Sequence, residues 1–148
     1  MSSLIQETNP NEIRVLAVRQ PWASLIVEGL KTVEVRSKPT NIRGRVAIYA
    51  STAKQETLEG VHGKEYNYRI LPTGKIIGTV EIVASSWCND EVEFELSKNE
   101  HLAPDIYYSD GKTRFWHIRR PVKFSEPIPY KPPKGAVVWS KTVLPEGY

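Results

Sequence analysis

Apolar positions along the chain fall mostly in short alternating or continuous runs separated by glycine, proline and asparagine, the punctuation of strands and turns. Residues 13–18 form one β-branched run with few breakers, and read as a strand. Pro21 follows with its φ already set for a first helical position. Trp22, Leu25, Ile26 and Gly29 then obey the i, i+3, i+4, i+7 rule for one buried helix face, predicting a helix over 21–30. Gly29 is placed to end it in a left-handed cap.

Residues 32–36 alternate with period two. Val33 and Val35 are expected to face the core, with Thr32, Glu34 and Arg36 on the other side. A turn at 41–44 leads to a buried strand over 46–50, and Ser51 is placed to cap a weakly patterned helix through residue 58. Residues 61–73 read as a loop carrying Tyr66, Tyr68 and Arg69, and residues 75–83 as a clear strand. The segment 91–96 is ambiguous. Val92, Phe94 and Leu96 alternate like a strand, yet Asn89 and Asp90 are good helix caps.

Residues 114–119 predict an aromatic-bearing strand, extended by 122–124. Pro121, Pro127, Pro129, Pro132 and Pro133 make the following stretch extended and poor at central sheet pairing. Residues 135–139 predict a last short strand. About six strands, few helices and no β-α-β rhythm indicate a mainly β fold with flanking helices (α+β), a small barrel or rolled sheet. The helix over 21–30 is expected to cover one side or opening. One domain is expected over 13–143, with short tails at 1–12 and 144–148.

With 148 residues the chain is long enough for an ordinary core. No apolar stretch approaches the ~18 residues of a membrane span, so no membrane association is expected. Residues 1–12 lack a basic region followed by an apolar run, so no secretory signal is expected. The single cysteine, Cys88, excludes an internal disulfide, a zinc knuckle and a CxxC redox pair. A cytoplasmic setting is expected.

The net charge of +3 is modest but unevenly spread. Residues 14–45 carry seven Lys/Arg against Glu28 and Glu34, and residues 112–148 carry eight against Glu126 and Glu146. Residues 81–110 hold eight acidic residues and only Lys98. The two basic segments either meet as one phosphate-attracting face or stay ordinary solvated surface.

The signatures GxxxxGK[ST], GxGxxG and HExxH are absent, and His62, His101 and His117 have no metal-ligand spacing. Neither a cofactor nor a metal is expected. His117 reads as structural, and Trp87, Trp116 and Trp139 as core aromatics. Ser24 and Ser51 lack a partnered base and are poor nucleophiles.

The informative stretch is 19–36, RQPWASLIVEGLKTVEVR. Its Gly29, Lys31, Glu34 and Arg36 form the pattern GxKxxExR, and here the chain resembles the ASCH family, relatives of the PUA-type RNA-binding barrels. The turn at 39–44 and the segments at 48–51, 126–129 and 135–139 resemble that family too. The resemblance implies a PUA-like small β-barrel with a cleft beside the motif.

The residue types suit such a cleft independently. Lys31 and Arg36 can neutralise a phosphate while Glu34 accepts from an exocyclic amine such as cytosine's. Strict alternation would put Lys31 on the valine side, so the turn must redirect it. The competing interpretation is a salt-bridged strand surface of small energetic weight.

The leading expectation is binding of RNA or a modified nucleoside at Gly29, Lys31, Glu34 and Arg36, extended by Arg19, Lys38, Arg43 and Arg45. Tyr66, Tyr68 and Arg69 are candidates for stacking on unpaired bases. The alternative is a hydrolase on nucleosides or nucleic acid. The resemblance includes amidohydrolases that deacetylate acetylated cytidine, in which a lysine matches Lys31 but a threonine nucleophile stands where this chain has Glu34. It also includes a ribonuclease type. Any catalysis here would use Lys31 and Glu34, the latter activating water. ASCH domains of transcription coactivators imply a third role in protein interaction, for which the chain itself offers no support.

Overall fold

A computed structural model of the chain describes residues 9–52 and 71–148. Its six strands are β1 (Glu12–Val18), β2 (Val33–Arg36), β3 (Gly44–Ala50), β4 (Lys75–Trp87), β5 (Arg114–Pro129) and β6 (Trp139–Val143). The helices are α1 (Trp22–Val27), α2 (Glu91–Leu96) and α3 (Lys98–His101), with a 3-10 turn at Asp105–Tyr107. All six strands form one sheet in the order β2-β5-β4-β3-β1-β6. Among the described strands only β1 and β3 run parallel.

That parallel pair explains the continuous apolar runs. Leu16, Val18, Val46 and Ile48 face one core, which α1 covers, while Ile13, Val15, Ala47 and Tyr49 face a second core with Phe124 and Leu144. Strands buried on both faces lose the polar alternation of a half-exposed sheet. The expected C-terminal tail is packed as well: Leu144 is buried, and Tyr148 meets Phe124 edge-on and donates its hydroxyl to the Glu126 carbonyl.

Closure is where the expected barrel fails. Among the described residues β2 and β6 are the two ends of the sheet and do not pair, so the described sheet curls without closing. Trp116 of β5 and Trp139 of β6 stack across the curl at 6.0 Å. In place of a strand, the Arg36 guanidinium of β2 spans the gap and donates to the Ala17 carbonyl of β1 at 3.0 Å.

Three local readings also shift. The segment 91–96 is helical because Asp90 accepts from the Glu93 N–H, while Glu93 reaches back to the Asn89 N–H. Phe94 is its one buried side chain. The last strand starts at Trp139, where the segment expected to be strand ends, because a turn at Lys134 and Gly135 delays pairing with β1 until Leu16 meets Trp139. β5 continues through Pro121, Pro127 and Pro129, farther than expected. Its ladder to β2 ends at His117, and its register to β4 shifts around Pro121 and Pro127, so neither proline interrupts a continuous ladder.

Trp87 departs from the core assignment. It is 46% exposed and carries the Arg114 guanidinium on its ring. His117, expected to be structural, has Nε2 2.8 Å from the Ser86 hydroxyl. The helix proposed after Ser51 and the loop residues Tyr66, Tyr68 and Arg69 lie outside the described residues, although Ser51 and Thr52 themselves are not helical.

Helix α1 lies unusually close to the sheet, at Gly78 of β4. A Cβ there would stand 2.2 Å from the Val122 carbonyl oxygen and 2.8 Å from a Val27 methyl. Gly78→Ala should therefore destabilise the fold by about 3 kcal/mol, as overpacking that backbone cannot relieve. Urea unfolding should show a lower midpoint at unchanged slope, and an unmoved midpoint would mean that the β5 backbone and the helix both give way.

Candidate functional site

The site begins with how α1 is held. Gln20, fully buried, accepts the Ser24 N–H at 2.9 Å and donates to the Ser24 hydroxyl and the Pro72 carbonyl. A glutamine side chain thus caps a helix whose N-cap is Pro21. All six α1 residues are buried. The helix proper ends at Val27, shorter than the 21–30 expected.

Gly29 has φ +80°, the left-handed conformation expected of it. The N–H groups of Leu30 and Lys31 both return to the Leu25 carbonyl at 3.0 Å. This closing turn redirects Lys31. Because β2 starts only at Val33, Lys31 escapes strand alternation and shares a side with Glu34.

Lys31 is 1% exposed. Its ammonium donates to the His101 carbonyl, lies 3.6 Å from Glu34 Oε1, and sits 4.9 Å from the centre of the Trp22 ring. Glu34 in turn accepts from Arg36, whose Nε and Nη2 both reach Oε2 at 3.0 and 2.9 Å. Arg36 lies 5.4 Å from the centre of the Trp116 ring, and that indole donates to the Lys38 carbonyl. The motif is therefore a chain of cation, carboxylate and cation running inward from the sheet's open seam.

Its electrostatics follow from burial. Loss of hydration pulls the Lys31 pKa down to about 8, against the opposing pull of Glu34. Burial alone would raise the Glu34 carboxyl, but the charges of Arg36 and Lys31, with hydrogen bonds from Arg36 and the Val35 N–H, hold it below the ordinary carboxylate value. Such a carboxylate is a weak base.

Beside this chain lies a cavity of about 540 Å³. Arg19, Lys31, Glu34 and Arg36 contribute to its wall, with Trp22 and Tyr107 as aromatic surfaces and Val137 and Val138 on the β6 side. Ser51 also lines it, whereas Ser24 is engaged with Gln20. Four of the expected binding residues thus meet at one cavity. Gly29 shapes the turn behind it. Lys38 is exposed and meets the site only through its backbone carbonyl. Arg43 and Arg45 line a separate depression with Arg14 and Lys141 instead.

His101 was not legible as part of the site. Its ring accepts the Ala103 N–H through Nδ1 and donates from Nε2 to the Phe94 carbonyl, which fixes a neutral tautomer. Burial pushes its pKa down and favours the same neutral form. Its carbonyl is thereby held over Lys31, 70 positions away in sequence, and no local pattern announces such a contact.

Comparison with known proteins places this geometry in context. The ASCH domain family matches residues 16–127. Activating signal cointegrator 1 of Homo sapiens is 40% identical over 79 residues, covering 46% of this chain and 13% of that protein. The Mus musculus protein of the same name is 30% identical over 127 residues, covering 78% and 20% respectively. The chain therefore spans a fifth or less of these curated relatives. Among solved structures, that of ASCH from Zymomonas mobilis superposes with a TM-score of 0.59 at 22% identity, covering 90% of this chain and 87% of that one. A point mutant of the same protein gives 0.58 at 18% identity over 92% and 90%. The shared fold, the matched segment and the motif-lined cavity lead to one conclusion: this chain belongs to the ASCH domain family.

Proposed function

We propose that the cavity binds one nucleotide of an RNA strand, or a modified nucleoside, as a binding module rather than an enzyme. The observation that carries this reading is the composition of the wall. Cations, one carboxylate and aromatic rings converge on about 540 Å³, a volume within the usual range for small-molecule sites. Trp22 and Tyr107 offer ring surface to a base, Glu34 Oε1 offers an acceptor to an exocyclic amine, and Arg19 and Lys31 offer charge to a phosphate. Among the described residues no helix is long and apolar enough to cross a membrane. A reducing, cytoplasmic setting suits the single buried thiol of Cys88.

Titration with cytidine 5′-monophosphate tests the cavity. Lys31→Met keeps the stem and removes the charge, and should weaken binding about tenfold. The pH dependence has a defined sign. Lys31 is protonated below about 8 and neutral above it. A phosphate monoester is already a dianion from pH 7 upward, its second pKa being about 6. Affinity should therefore fall between pH 7 and 9 in the native chain and stay flat in Lys31→Met. A flat native profile would remove Lys31 from the binding surface.

The hydrolase alternative meets an obstacle in the same residues. Arg36 and Lys31 hold the Glu34 carboxyl low, so it has little drive to take a proton from water. Deacetylation of acetylated cytidine by the native chain should be absent or slow. Robust turnover that Glu34→Gln abolishes would reverse the ranking of binding over catalysis, whereas turnover that survives it would place the chemistry elsewhere.

A further inference from the structure

A second concave site lies at the other end of β1. A depression of about 270 Å³ is lined by Glu12 and Arg14 of β1, Arg43 and Arg45 at the start of β3, and Lys141 of β6. Four cations face one carboxylate. Arg14 and Lys141 stand directly opposite each other in the β1–β6 ladder, a like-charged cross-strand pair that is destabilising by itself. Among the described residues none of Arg14, Arg45 and Lys141 has an ion-pair partner, and Glu12 stays exposed. Arg43 differs: its Nη1 donates to the Thr40 and Ile42 carbonyls at 2.8 Å each, which fixes the guanidinium at the rim.

We propose that this depression is a phosphate subsite, taking a backbone phosphate of the single strand whose nucleotide occupies the main cavity. The assignment rests on the nucleotide reading of that cavity. At about 270 Å³ the depression is below the size of a typical nucleoside pocket, while its guanidinium groups match the fork geometry of a phosphate. Arg14 precedes Ala17, which lines the main cavity, by three residues, or ~10 Å at ~3.3 Å per residue. Stacked nucleotides advance ~3.4 Å each, so the two sites are about three nucleotides apart. A mononucleotide fills one site only. A strand reaches both.

The experiment compares cytidine 5′-monophosphate with an eight-nucleotide oligocytidylate. Two double variants are used, Arg14→Gln with Lys141→Gln and Arg43→Gln with Arg45→Gln; both keep polar, uncharged side chains on exposed positions. Each should leave mononucleotide affinity unchanged and weaken the octamer about tenfold at low salt. Losing that one phosphate contact should also flatten the slope of log affinity against log salt by ~0.7. Unchanged octamer affinity and slope in both variants overturns the subsite. The cavity reading is judged separately, by whether Lys31→Met weakens the mononucleotide. Binding to phosphatidylserine vesicles that the double variants lose, with the octamer unaffected, would also overturn the subsite and make the depression a membrane contact.

Discussion

Burying a lysine and a glutamate beneath an arginine is the constraint around which this fold is arranged. Removing ions from water costs several kcal/mol each, and the mutual attraction of a pair offsets this only when hydrogen bonds complete the geometry. Here they do. Glu34 is held by Arg36 and its neighbour's N–H, Lys31 by the His101 carbonyl and the Trp22 ring, and Arg36 by Glu34, Ala17 and the Trp116 face. Beyond β2 itself, these partners come from distant parts of the chain: Ala17, Trp22, His101 and Trp116. Helix α1 with its closing turn, β2, β1, β5 and the end of α3 must therefore all be in place before the charges are tolerable.

This chain of charges also explains why the sheet stays open. A closed barrel would satisfy β2 and β6 by pairing them, whereas the Arg36 side chain takes the Ala17 carbonyl beside a β6 segment that still bonds the Ala17 N–H through Val138. The seam that results is the cavity wall. The atoms that hold the fold at this seam also line the cavity, and the arrangement that keeps Glu34 ionised makes it a poor base.

Much of the candidate site's arrangement could be read from the residues alone because these parts are close in sequence. Gly29, Lys31, Glu34 and Arg36 span eight positions, and the glycine cap with strand alternation fixes their relative directions. Helix periodicity places Trp22 on the buried face of α1 but does not announce its place in the cavity wall. Where the chain had to choose between two local preferences, tertiary packing chose. Residues 91–96 carry both a strand pattern and a helix cap; the Asp90 cap starts the helix, and burial of Phe94, stacked on His101 at 4.1 Å, supports the same choice. Prolines that argue against pairing are accommodated in β5 because the strand is unpaired on one side and its register slips beside them.

The sequence by itself determined the strand-rich class, the α1 turn that aims Lys31, and the cation–carboxylate–cation order of the motif. These depend on periods of two and 3.6 residues and on one left-handed glycine, all local quantities. Tertiary structure decided that the sheet would not close, that His101 would supply the carbonyl over Lys31, and that Arg43 and Arg45 would join Arg14 and Lys141 rather than the motif. Those outcomes depend on which strands become neighbours. Strand order β2-β5-β4-β3-β1-β6 brings distant residues within a few ångströms, and no pattern confined to one segment encodes that meeting.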